Sequence, residues 1–143
     1  MPTNSILKLN KYSVKNINYE INTDFYAEPG AQINIAPTFT RNITKIDNNN
    51  AIVSLSIKIN KTKGNAPFSI NIEVEGRFEL DNWENPDLIQ LMEDNTIAIL
   101  FPYLRSLVTM VTSNTSSTQP YILPIINITA LFKKNSSNKD INN

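Results

Sequence analysis

The sequence predicts an α+β domain: a four-stranded antiparallel sheet in meander order, followed by two or three helices. Three observations carry that prediction. Two central stretches alternate apolar and polar residues with a period of two. The opening stretch alternates as well, but changes parity twice. The last third abandons that period for helical spacing and never returns to it.

In the opening stretch Leu7 and Leu9 share one parity, Tyr12 and Val14 take the other, and Ile17, Tyr19 and Ile21 return to the first. A one-residue slip exchanges the faces of a strand, so each switch predicts a bulge or bend. A loop from Asp24 to Gly30 leads to Ile33, Ile35 and Phe39, an irregular second strand that Pro37 restricts to an edge or a bend. Asp47-Asn48-Asn49-Asn50 is a turn into the central hairpin. There Val53, Leu55, Ile57 and Ile59 alternate with Ser54, Ser56, Lys58 and Asn60. After a turn-rich connector, Thr62 to Pro67, Phe68, Ile70, Ile72 and Val74 alternate with Ser69, Asn71, Glu73 and Glu75. Gly76 falls on the apolar face, which predicts a bulge or a close approach by another segment.

Helical spacing starts after Asn82-Trp83-Glu84-Asn85-Pro86-Asp87, with Pro86 in the first turn and acids at the positive end of the dipole. Leu88, Leu91 and Met92 form a first apolar set. Asp94-Asn95-Thr96 separates it from Ile97, Leu100, Leu104, Leu107, Val108 and Val111. Pro102 predicts a kink or a broken start. Pro120 to Pro124 is extended, and Asn127 caps a short final helix, Ile128 to Lys134. Residues 1–134 thus form a single domain, and residues 135–143 a polar, disordered tail.

Composition excludes several functions. Lysine plus arginine equals aspartate plus glutamate at 13 each, without the basic excess of a nucleic-acid binder. Cysteine and histidine are both absent, which removes disulfides, thiolate sites, the usual base at neutral pH and every triad built on histidine. Glu73 and Glu75 could in principle hold a cation or act as a carboxylate pair, but alternation places them on a solvated strand face. Asp81, Glu84 and Asp87 read as helix N-terminal charges, and Lys58, Lys61 and Lys63 as hairpin charges that discourage aggregation. Trp83 reads as a half-buried anchor at the strand–helix junction. No catalytic residue, metal site or cofactor is expected, so the chain does not read as an enzyme. Met1 to Ile21 carries Lys8, Lys11 and Lys15 without an apolar core, so it is not a secretory signal. Ile97 to Leu104 is far shorter than the roughly 20 residues of a membrane helix. The expected location is cytoplasmic, with no membrane insertion.

Ile99-Leu100-Phe101-Pro102-Tyr103-Leu104-Arg105, followed by Leu123-Pro124-Ile125-Ile126-Asn127 and Ala130-Leu131-Phe132, resembles the SecB protein-export chaperones. That family carries ILFPYAR at the start of its long helix and a LAP-V-F-ALF stretch before its last one. The resemblance is specific from about Asn95 to Lys134, and upstream it rests on element order and on Glu75-Gly76-Arg77-Phe78. It implies a dimer of dimers that acts as an ATP-independent holdase, binding unfolded polypeptides in apolar grooves. One client class would be preproteins for SecA-dependent export. The alternatives are a chaperone dedicated to a toxin–antitoxin or other non-export partner, and an oligomeric interaction protein with no client.

The same resemblance assigns the client groove to two regions, Ile33, Ile35 and Phe39 in the second strand and Tyr121, Ile122, Leu123, Ile125, Leu131 and Phe132 around the last helix. Apolar residues on strands and helices usually belong to a core, but Tyr121 to Ile126 is too apolar for an ordinary surface loop. Of the positions aligned with the acidic patch that docks on SecA, Glu20 keeps an acid, whereas Asn16, Ser69 and Asn71 do not.

Overall fold

The computed structural model describes residues 7–25, 35–60, 66–80, 86–113 and 121–124, together with 128 and 132. Four strands, β1 (Lys8–Ile21), β2 (Thr38–Lys45), β3 (Asn50–Ile59) and β4 (Phe68–Glu79), precede one long helix, α1 (Pro86–Ser113). All strand pairs are antiparallel, and the order across the sheet is β1-β4-β3-β2. The expected meander therefore holds only for β2, β3 and β4. β1 lies on the far side of β4, so β1 and β2 occupy the two edges. The inner face of β1 explains this placement: its apolar residues Leu9, Val14, Ile17 and Tyr19 stand opposite Phe78, Val74, Ile72 and Ile70 of β4.

The parity switches of β1 correspond to register shifts between Leu9 and Lys11 and between Val14 and Asn16. Each shift returns the following apolar set to the inner face. Gly76 carries no bulge in its own strand. A Cβ there would lie 2.7 Å from Phe78 Cε2, 2.9 Å from Leu9 Cδ1 and 3.1 Å from Leu100 Cδ2, so glycine admits the helix and the edge strand against β4. Ile35 stands ahead of β2 rather than inside it, because the ladder starts only after Pro37, which has no N–H to donate. Ile33, Trp83 and the expected tail lie outside the described residues.

The core lies between the inner sheet face and α1. Val53, Leu55, Ile57, Ile72, Val74 and Phe78 are fully buried from the sheet side, and Ile97, Leu100, Leu104 and Val108 from the helix. α1 runs without interruption through Asp94, Asn95 and Thr96, where the sequence suggested a separation. Two of the three polar side chains there are taken up inside the fold, with the Thr96 hydroxyl donating to Glu93 O at 2.7 Å and Asp94 paired with Arg41, while Asn95 is exposed. Pro102 sits within the helix on its exposed side, where a lost backbone bond leaves a carbonyl within reach of water. Glu93–Ser113 is long and apolar enough to cross a bilayer by composition, yet it lays one apolar stripe on the sheet. Residues 128 and 132 are helical, four apart, and both are buried.

Candidate functional site

Residues 121–124, beyond α1, are attached to the helix by side chains rather than by a ladder. Arg105, the last residue of the ILFPYLR stretch, donates from Nε to Leu123 O at 2.8 Å. The Thr112 hydroxyl accepts from Tyr121 N at 2.9 Å and donates to Val108 O at 2.8 Å. Thr112 is fully buried, so these bonds form where water cannot compete. They fix the extended backbone of 121–124, and alternation follows. Tyr121 turns inward over Phe68 (6.1 Å between rings), Leu123 is sealed, and Ile122 stands 59% exposed. Burial pushes the Tyr121 hydroxyl above its ordinary pKa. Ile122 borders an open hollow of about 500 Å³ with Pro102, Ser106, Thr109 and the exposed Met110.

At the β2 edge, three elements meet in a seam. Phe39 of β2 contacts Phe101 of α1 edge-on, with ring centroids 6.1 Å apart. Arg41, two residues on and facing the same way, lies with its guanidinium carbon 4.9 Å from the Phe132 ring centroid. Its Nη1 is 3.5 Å from Asp94 Oδ1 of α1. The expected groove residues that are described thus lie on one side of the sheet. Ile35 is half-buried against the core, and Phe39, Leu123 and Phe132 are buried. Tyr121 is half-buried, and only Ile122 is open to solvent. Ile125 and Leu131 lie outside the described residues.

Arg41 and Asp94 escaped the sequence reading, although each left a signal. Arg41 occupies the apolar parity of β2, between Phe39 and Ile43. Asp94 sits three residues before Ile97, one turn ahead of the apolar stripe. Arg105 and Thr112 gave no comparable signal, because a side chain that holds a distant backbone follows no periodicity.

The opposite sheet face is polar. Asn18, Glu20, Lys58, Asn60, Ser69 and Asn71 line a shallow hollow of about 240 Å³ there. Asn16 Nδ2 donates to Asn71 O at 3.1 Å, and Lys15 pairs with Glu75 at 3.6 Å. Lys58 offsets Glu20, so this hollow carries no acidic excess. Glu73 and Glu75 lie partly exposed on that face, and no acidic cluster fit for a metal ion occurs among the described residues.

The family model for the preprotein translocase subunit SecB matches residues 2–139, nearly the whole chain. The chain belongs to the SecB family. An uncharacterized protein of Methanocaldococcus jannaschii is 30% identical to it over 132 residues, 91% of this chain and 84% of that protein. Among solved structures, a SecB-like chaperone of Mycobacterium tuberculosis in complex with a ChAD peptide from the HigA1 antitoxin superposes with a TM-score of 0.64. That match is 15% identical and covers 84% of this chain and 90% of the other. A Streptococcus agalactiae protein of unknown function superposes with a TM-score of 0.52 at 14% identity, covering 85% and 98%. At these identities the neighbours show a shared fold. The SecB-family sheet with its long helix is present here, with β1 and β2 as the edges.

Proposed function

We propose that this SecB-family chain is an ATP-independent holdase that binds unfolded polypeptide segments at the seam between β2, α1 and the chain beyond α1. The observation that carries this reading is the way the seam is closed. Aromatic side chains from three elements, Phe39, Phe101 and Phe132, line it, and residues 121–124 of the chain beyond α1 are held to the helix by two side chains, Arg105 and Thr112, and not by a strand ladder. Such a segment can yield to an incoming chain at the expense of few hydrogen bonds. Ile35, Phe39, Tyr121, Ile122, Leu123 and Phe132 supply the apolar contacts, joined by Ile33, Ile125 and Leu131. Each contact is modest, about 1.5–3 kcal/mol for a fully buried side chain, so a client gains affinity by crossing several sites on an assembly.

Assembly follows from β1. Val14, Ile17 and Ile21 lie on the inner face yet are 42%, 44% and 39% exposed, because α1 does not extend over them. A second subunit covering this strip, in the dimer of dimers that family membership suggests, would complete the core.

A client bound for a non-export partner, rather than SecA, is the favoured variant. The hollow around Glu20 lacks the acidic excess of a motor-docking surface, and the M. tuberculosis neighbour holds an antitoxin peptide. The test is aggregation of a chemically denatured model protein on dilution, without nucleotide, titrated with the purified chain. Suppression that saturates near one assembly per client, and weakens in Ile122→Asp, supports the reading. A folded oligomer that suppresses nothing at several-fold excess ends the case for a general holdase and leaves a chaperone dedicated to one partner.

A further inference from the structure

We propose that Arg41 is a specificity-determining residue of this seam, selecting aromatic side chains of the client, and that Phe132 is the chain's own occupant of the position those side chains take. The proposal rests on the chaperone reading and goes beyond it, from an apolar seam to a charged one with a defined preference. Arg41 lies on the apolar face of an edge strand, between Phe39 and Ile43. Its guanidinium is held between a carboxylate and a ring, 3.5 Å from Asp94 Oδ1 and 4.9 Å from the Phe132 centroid. The second distance is inside the roughly 6 Å within which a cation is attracted to an aromatic face. The first is longer than the roughly 2.7–2.9 Å of a charge-assisted hydrogen bond. Nη1 is buried and makes no hydrogen bond among the described residues. The attraction of this cation is therefore not exhausted by its acid, and a π face is the partner that its surroundings supply.

A client entering the seam must displace the Phe132 ring, since that ring covers the guanidinium. An aliphatic side chain in the same place returns the lost apolar area but not the cation–π attraction, so Arg41 would be left desolvated with Asp94 but no π face to offset it. A phenylalanine, tyrosine or tryptophan restores both. With aromatic groups already lining the approach at Phe39 and Phe101, the exchange is one ring for another. Asp94 keeps the guanidinium in place while the ring is exchanged, acting as a positioning residue.

The test uses the full chain and two short unstructured peptides of one sequence, one carrying a phenylalanine and the other cyclohexylalanine in its place. The two rings have nearly the same size, and only the first has a π face. Affinities are measured by titration calorimetry. The wild-type chain is expected to prefer the phenylalanine peptide by about two- to thirtyfold. Arg41→Met should reduce that ratio to about one while still binding the cyclohexylalanine peptide. Should Arg41→Met fail to fold, the pair Arg41→Met with Asp94→Leu removes both charges together and is read in the same way. A wild-type ratio of one, or a preference that survives the loss of Arg41, overturns the proposal and leaves the chaperone reading intact. Binding of neither peptide removes both.

Discussion

Gly76→Ala tests how α1 is seated. The added methyl would meet Phe78 Cε2 at 2.7 Å, Leu9 Cδ1 at 2.9 Å and Leu100 Cδ2 at 3.1 Å, all shorter than the 3.4 Å at which ordinary contact starts. Leu9 is half-buried near the end of an edge strand and can turn aside. Phe78 and Leu100 are fully buried and cannot. Overpacking of this kind costs about 1–3 kcal/mol, and two immovable neighbours of three place this substitution in the upper part of that range. Urea denaturation at fixed protein concentration should show the midpoint falling by about 1 M, given a slope of roughly 1–3 kcal/mol per molar. Leu100→Ala alone should cost about 2–5 kcal/mol by opening a cavity. Combined with Gly76→Ala it should cost less than the two separately, since the new methyl then occupies space that the leucine vacated. A Gly76→Ala chain within about 0.5 kcal/mol of wild type, or strictly additive losses in the double variant, would refute the reasoning. Glycine at this position would then be required by something other than the approach of the helix.

Three further outcomes are expected. Asp94→Asn should destabilise by about 3 kcal/mol, the lower end for a broken buried pair given 18% and 12% side-chain exposure. Arg41→Met with Asp94→Leu should stay within about 1 kcal/mol of wild type or exceed it, and urea curves of all three chains decide. Thr112→Val removes the acceptor of Tyr121 N–H, so a cost of about 1–2 kcal/mol should come with faster hydrogen exchange at the Tyr121 amide. Asp47 titrates below the ordinary carboxylate range because the Asn49 backbone N–H, and then the Asn50 side chain, bond its charged form. A depressed folded value stabilises above the unfolded pKa, and the gain is lost as pH falls through the folded one. Asp47→Asn should therefore flatten the acid limb of the stability profile below about pH 4, as read from denaturation midpoints.

The strands were legible in the sequence because a strand writes its burial as a period of two. Val53 to Ile59 and Phe68 to Val74 expose every second residue, and the two parity switches in β1 mark its two register shifts. Strand order was not legible, since β1 alternates in the same way whether it pairs with β2 or β4. The ILFPYLR and LPIINITALF stretches identified the family because they are specific strings. The seam's chemistry was harder to see. Arg41 and Asp94 are 53 positions apart and meet only once β2 and α1 share a wall of the core. Asp94, with Asn95 and Thr96, looked like a helix break, because a partnered buried acid and a loop acid are identical in sequence. Arg105 and Thr112 hold the backbone of Leu123 and Tyr121 from 18 and 9 positions away, a relation no pattern of side chains records.

The apolar surface of this chain falls into two kinds, and their difference bears on function. On β1, Val14, Ile17 and Ile21 are apolar, held in a strand and uncovered, so burying them against another apolar surface would be favourable. At the β2 seam the apolar side chains are already covered, but the cover encloses an ion pair. Desolvating such a pair offsets most of its mutual attraction, so the seam closes less firmly than it would with leucine or methionine in the same places. Lifting the cover returns the guanidinium to water or to a new aromatic partner, which reduces the cost of opening. A core has no use for that property, whereas a groove that exchanged its own phenylalanine for a client's, as proposed for Phe132, would depend on it. On the proposed reading, the charges that weaken the seam as packing are what would make it reversible as a binding site.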